Sequence, residues 1–159
     1  MLGKLLVCAL VASASAKTVS ITWKDCASTS SVGHITAVTI APNPPQLGSQ
    51  TNFTGTGTIS SDVSDGQTTI KATFSGLPIP VNPATVSICG STTVKLPLNL
   101  GSIVVQGLDC PATKGPISIS ELITVPKIAP LGTYTATLKS VNQDGDELFC
   151  VDTTILIKA

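Results

Sequence analysis

The feature that most constrains this fold is a cysteine embedded in the last strand. The C-terminal stretch reads as a β-hairpin. Ala129-Pro130-Leu131-Gly132-Thr133-Tyr134 opens one strand, Asn142-Gln143-Asp144-Gly145-Asp146 supplies the turn, and Glu147 to Ile157 returns. Gly, Asn and Asp are the residues that accept positive φ at such a turn. Tyr134, Ala136 and Leu138 alternate with Thr133, Thr135, Thr137 and Lys139, the period of two of a half-buried strand. On the return Phe149, Val151, Ile155 and Ile157 share one face, so Cys150 points the other way. Its best partner is Cys26, near the opposite end of the chain. A bridge between them requires the first and last strands to lie side by side.

Such a bridge needs an oxidising compartment, and the N-terminus supplies the signal for one. Met1-Leu2-Gly3-Lys4, an apolar run from Leu5 to Ala14 and a small-x-small site at Ala14-Ser15-Ala16 describe a secretory signal peptide, residues 1–16. The run is shorter than the roughly 20 residues needed to span a bilayer. Cleavage after Ala16 leaves residues 17–159, enough for one domain with a sizeable core. The expected localisation is secreted, or the lumen of the endolysosomal or vacuolar system. Cys8 leaves with the leader, and Cys26, Cys89, Cys110 and Cys150 remain as an even set. Three pairings are possible. Cys26–Cys150 with Cys89–Cys110 is favoured, because the inner pair closes one intervening segment while the outer pair joins the terminal strands. Zinc ligation is the competing use, but no Cys-x-x-Cys occurs.

Walking the chain, Val19, Ile21 and Trp23 alternate with Thr18, Ser20 and Thr22 in a first strand ending at Cys26. Gly33-His34-Ile35 opens a second strand with Val38 and Ile40 inward, broken by Pro42-Asn43-Pro44-Pro45. A third runs from Ser49 to Ile59 and carries the glycosylation sequon Asn52-Phe53-Thr54, with Asn52 to water and Phe53 to the core. Asp62-Val63-Ser64-Asp65-Gly66 reads as a hairpin turn into a strand with Ile70, Ala72 and Phe74 on one face. From Gly76 to Gly115 the alternation weakens and proline and leucine take over. Surface loops are normally polar. This greasy middle is therefore either a set of core strands with proline at their edges or the rim of a cavity. Ile117, Ile119 and Ile123 restore strand character. Seven or so short strands separated by turns, with no evident helix, indicate an all-β fold, an immunoglobulin-like β-sandwich of two antiparallel sheets.

Charge argues against whole classes of function. Lysines and acids balance at nine each and arginine is absent, so there is no bidentate fork for phosphates or base edges and nucleic acid is not an expected partner. His34 is the single histidine and sits at a strand end, and no Gly-x-Ser-x-Gly occurs. Asp144-Gly145-Asp146-Glu147 lacks the spaced ligand set of a calcium loop, as do Asp62 and Asp65. Trp23 and Tyr134 read first as core residues. No enzyme, metal site or cofactor is expected.

Several motifs, weak singly, together resemble the ML lipid-recognition domain family: Trp23-Lys24-Asp25-Cys26, Gly33 to Val38, Gly76-Leu77-Pro78-Ile79-Pro80, Cys110-Pro111, Pro130 to Tyr134 and Leu148-Phe149-Cys150. That family includes the Niemann-Pick C type-2 sterol carrier, fungal phosphatidylglycerol/phosphatidylinositol transfer proteins and group 2 mite allergens. The resemblance implies two sheets splayed around an internal apolar cavity that holds a sterol or a lipid tail. It matches Cys26 and Cys150 to the family's terminal bridge, and Cys89 and Cys110 to a second bridge of fungal and plant members. Asn52 falls where the animal sterol carrier bears a sequon, and Leu77 to Val81 match the pocket mouth. Two departures stand out. Pro42 to Gln46 replace a short cysteine loop, and Val81 stands where the sterol carrier has an aromatic.

The expected function is that of a secreted carrier, holding a sterol or phospholipid acyl chain between its sheets and moving it between membranes or proteins. Partners would be the lipid itself, a membrane surface or a membrane lipid-transport protein. Strand parity and the family position nominate Phe53, Phe74, Leu77, Ile79, Val81, Leu98, Val104, Ile119, Tyr134 and Phe149 as lipid-binding, with Ala72, Ala136, Gly55 and Gly57 leaving room. The alternative is an accessory recognition module, a co-receptor or hydrolase activator, presenting an apolar patch to a protein partner.

Overall fold

In a computed structural model, which describes residues 17–97 and 100–159, the two ends of the chain pair as expected. The leader, residues 1–16, lies outside the described residues. Strand β1 (Thr18–Asp25) runs antiparallel to the last strand, β11 (Glu147–Lys158), from Thr18 opposite Lys158 to Asp25 opposite Val151. The Cys26 amide donates to the Cys150 carbonyl at 3.0 Å and the two side chains form a disulfide. Between these ends lie β2 (Gly33–Ala41), β3 (Gln50–Ile59), β4 (Gly66–Phe74), β5 (Leu77–Ile79), β6 (Thr85–Ser87), β7 (Ser91–Lys95), β8 (Ser102–Gln106), β9 (Gly115–Thr124) and β10 (Gly132–Asn142).

The strands form two antiparallel sheets. One has the order β1-β11-β10-β4-β5, with β6 also on β4, and the other the order β2-β3-β9-β8-β7. The β10–β11 hairpin is built around buried Asn142. Its Oδ1 accepts from the amides of Asp144 and Asp146 at 3.0 and 2.8 Å, with Gly145 at φ +83° closing the turn.

Two expectations are corrected here. Asp62 to Gly66 is no hairpin turn, because β3 and β4 belong to different sheets. The segment crosses between the layers, with Val63 fully buried and paired to Ala112. Gly57 does not open space in the interior either. A bulge between Ile35 and Ala37 brings β2 so close that a Cβ on Gly57 would stand 1.9 Å from the His34 carbonyl oxygen. That bulge also shifts parity, which is how Ile35 and Val38 both reach the interior.

The interior divides into two clusters along its length. One gathers Ile35, Ile59, Val63, Ile88, Leu108, Leu148 and Phe149, and packs against Cys89 and Cys110, which form the second disulfide. The other contains Phe53, Ile70, Val94, Ile103, Val105, Ile123 and Leu138.

Candidate binding cavity

A space between the sheets follows from register. On the first sheet, Ala72 stands opposite Ala136, Ala136 opposite Thr153, and Ile79 opposite Ala72. Three small side chains thus lie in one row across the central strands. The row toward one end is large, with Phe74, Tyr134 and Ile155 in register. The row toward the other end is Ile70, Leu138 and Val151. Between these ridges the second sheet offers Ile103, Ile123 and Glu121. A void of about 60 Å³ remains, also lined by Leu96, Leu100, Val125 and Ala129. It has room for a few water molecules.

At the mouth the Phe74 and Tyr134 rings stack with centroids 4.6 Å apart and planes tilted by 36°. The Tyr134 hydroxyl donates to the Pro130 carbonyl at 3.0 Å, and partial burial raises its pKa. Gly132 begins β10 directly against Phe74, where a Cβ would lie 2.7 Å from the ring. Three large apolar residues near this end face water: Leu77 at 71% exposure, Ile128 at 76% and Leu131 at 47%. Leu77 pairs with Phe74, and Ile128 adjoins cavity-lining Ala129.

The nominated residues distribute unevenly around this space. Ile79 and Tyr134 line the void, Phe74 stacks on Tyr134 without lining it, and Leu77 is exposed beside Phe74. Phe53 and Ile119 line a smaller neighbouring void of about 30 Å³, together with Gly55. Val81 packs against the cluster that contains Phe53 and Leu138, whereas Phe149 belongs to the other one and borders only a minor gap. Val104 points away. Ile103 and Val105 on either side are buried inward, while Val104 stands opposite Leu122 on the outer face. Leu98 lies outside the described residues. Asn52 lies on the outward parity of β3, but it is only half-exposed and its Oδ1 is enclosed without a hydrogen-bond partner.

The interior also holds two polar side chains that the sequence reading passed over, Thr153 and Glu121. Both border the main void and its neighbour. Glu121 is part-buried by surface area, but protein crowds it on all sides where it borders the voids. Burial pushes its carboxyl up from 4.5 to about 7, with no charged or hydrogen-bonding neighbour contributing. The signal was present in the sequence: Glu121 shares its parity with Ile117, Ile119 and Ile123 on one strand.

A two-sheet sandwich, stapled by disulfides and hollowed by a row of small residues under an apolar rim, defines a class of small cavity-bearing β-domains. The family model of the ML domain matches residues 20–157, and the chain belongs to the ML domain family. A Dictyostelium discoideum protein, provisionally named phosphatidylglycerol/phosphatidylinositol transfer protein 2, is 30% identical over 135 residues, covering 85% of this chain and 84% of the relative. The Mycosarcoma maydis phosphatidylglycerol/phosphatidylinositol transfer protein is 24% identical over 84% of this chain, which spans 64% of that relative's length. Among solved structures, a Niemann-Pick type C2 protein from the Japanese carpenter ant superposes with a TM-score of 0.52 at 20% identity, covering 84% of this chain and 96% of its own. Chicken MD-1, solved in complex with lipid IVa, gives 0.54 at 15% identity, with 89% and 91% covered. These two likenesses establish the shared fold.

Proposed function

We propose that this protein is an exported lipid carrier, which takes the apolar part of a sterol or phospholipid between its sheets and passes it between membranes or proteins. The observation that carries this reading is the in-register row Ala72–Ala136–Thr153, which leaves an apolar void beneath an exposed greasy rim. Relatives named for phosphatidylglycerol/phosphatidylinositol transfer support it. So do the two disulfides, which suit an oxidising compartment.

The void of about 60 Å³ is far smaller than the roughly 300–1,000 Å³ of ordinary ligand pockets. Uptake therefore requires the sheets to part near β5 and β8. Burying roughly 300 Å² of lipid at about 25 cal/mol per Å² yields on the order of 7 kcal/mol, less the work of parting them. That suits capture that remains reversible. It is a binding function, with no proton transfer and no covalent step.

Native mass spectrometry of the purified protein, with lipid analysis of its extract, tests the proposal together with displacement of a fluorescent sterol or phospholipid. One lipid per chain is the expected result. The exposed Leu77, Ile128 and Leu131 favour a second reading, a recognition module that docks a protein partner through this rim. A protein that takes up no lipid of any class, yet loses a partner on Leu77→Asp, would establish that reading instead.

A further inference from the structure

Glu121 is chemically out of place for packing alone. On β9 its inward neighbours are Ile119 and Ile123, and across the sheet it stands opposite Phe53 and Val105, both buried. Another isoleucine would continue the pattern. The carboxyl instead borders three voids: the main cavity, its neighbour, and a small deep gap beside Phe149. It therefore sits where the interior spaces meet, at the far side from the mouth. Among the described residues no side chain or backbone group is hydrogen-bonded to it and no cation contributes to its ionisation. Across the cavity on the other sheet are Ala72, Ala136, Leu138 and Thr153, all uncharged, and among the described residues Tyr134 is the one other ionisable residue on the cavity wall. The Tyr134 hydroxyl is already engaged at the mouth by the Pro130 carbonyl.

A buried polar group without a partner is expensive, and a carboxyl especially so. In the empty protein the void has room for water to serve it. A bound lipid removes that water. A plain hydrocarbon segment then leaves the carboxyl with nothing, whereas a segment bearing a hydroxyl replaces the lost hydrogen bond. The carboxyl thus discriminates between two lipids of the same shape, and against the simpler one.

We propose that Glu121 is a specificity-determining residue: its carboxyl hydrogen-bonds a hydroxyl carried on the deep-lying part of the lipid's apolar body, so the cavity selects hydroxylated over plain chains. The inference rests on the carrier reading above. Four residue steps along β10 separate Tyr134 at the mouth from Leu138 beside Glu121, about 13 Å at strand rise. A hydroxyl reaching that depth sits roughly ten carbons inward of the mouth. Two sources carry such a group, a mid-chain hydroxylated acyl chain and a sterol hydroxylated on its side chain.

The test is competitive displacement of a fluorescent lipid from the mature chain by matched pairs at pH 5.5 and pH 8. One pair is stearoyl and 12-hydroxystearoyl phosphatidylcholine, and the other is cholesterol and 25-hydroxycholesterol. At least one hydroxylated member is expected to bind about ten-fold tighter or better, and the pair that shows it identifies the source. Plain-chain binding should weaken as pH rises through about 7, since a plain chain is tolerated only by the neutral carboxyl. Glu121→Gln should keep the preference and lose the pH dependence, and Glu121→Leu should abolish the preference by tightening plain-chain binding. Equal binding within both pairs, or a preference surviving Glu121→Leu, overturns the proposal and leaves the carrier reading intact. Failure of all four lipids to displace the probe overturns the proposal, and uptake of no lipid of any class, the probe included, overturns the carrier reading with it.

Discussion

Replacing Glu121 by glutamine in the ligand-free protein should change stability in a way that depends strictly on pH. The folded carboxyl titrates near 7 and its ordinary value is 4.5, so folding favours the neutral form. A folded value above the unfolded one contributes stability that is fully present below about pH 4.5 and is lost as pH rises through about 7. Each pH unit between the two values is worth about 1.36 kcal/mol, so the wild type should lose roughly 3 kcal/mol from this group alone. Glutamine is close in shape to the neutral acid and does not titrate. The variant should therefore match the wild type at pH 4 and exceed it by roughly 3 kcal/mol at pH 8, about 10 °C in Tm. Urea denaturation of both proteins at half-unit steps from pH 4 to pH 8, with disulfides intact, isolates the group, because every other titration cancels in the difference. Unchanged urea slopes would show that both variants expose the same surface. A stability difference that stays flat across this range would refute the reasoning: the carboxyl would then titrate in the folded chain as it does in the unfolded one.

The remaining predictions concern the staples, the void and the rim. Removing the terminal bridge with Cys26→Ala and Cys150→Ala should cost about 2–5 kcal/mol, read as a fall in urea midpoint, since it closes a loop of sequence separation 124. Ala136→Phe should fill the row of small side chains and weaken lipid capture at least ten-fold while the circular-dichroism spectrum is unchanged; unaltered capture would place the ligand elsewhere. Leu77→Asp with Ile128→Asp should slow lipid pickup from vesicles several-fold yet leave Tm within a degree or two, since both side chains already face water.

Much of the architecture can be read from the chain because the relevant signals are local and redundant. Cys26 and Cys150 demand adjacent terminal strands, Tyr134-Ala136-Leu138 set the inward face of β10, and Asn142 to Gly145 close its turn. What escapes notice has a common physical cause. Turn chemistry at Asp62 to Gly66 announces a reversal but not which sheet receives the next strand; a fully buried Val63 marks the crossing only once its Ala112 partner is known. The uniformly apolar run Ile103-Val104-Val105 has no alternation, so only its pairing with Ile123 and Leu122 reveals that Val104 turns outward. Glu121 is missed for the opposite reason. An inventory of apolar positions passes over the one acid in their register, although that register is where an acid carries most information.

The covalent bonds and the cavity mouth occupy opposite extremities of the sandwich. Cys89–Cys110 packs against the cluster around Val63 and Leu148, and Cys26–Cys150 adjoins it through Phe149, whereas Tyr134, Ile79 and Leu77 lie at the other extremity. Such a molecule can gape at one end while the other stays shut by its packed cluster and Cys89–Cys110, as a clothes-peg does. Cargo size would then be governed by how far the free jaws swing, and not by the dimensions of the resting hollow.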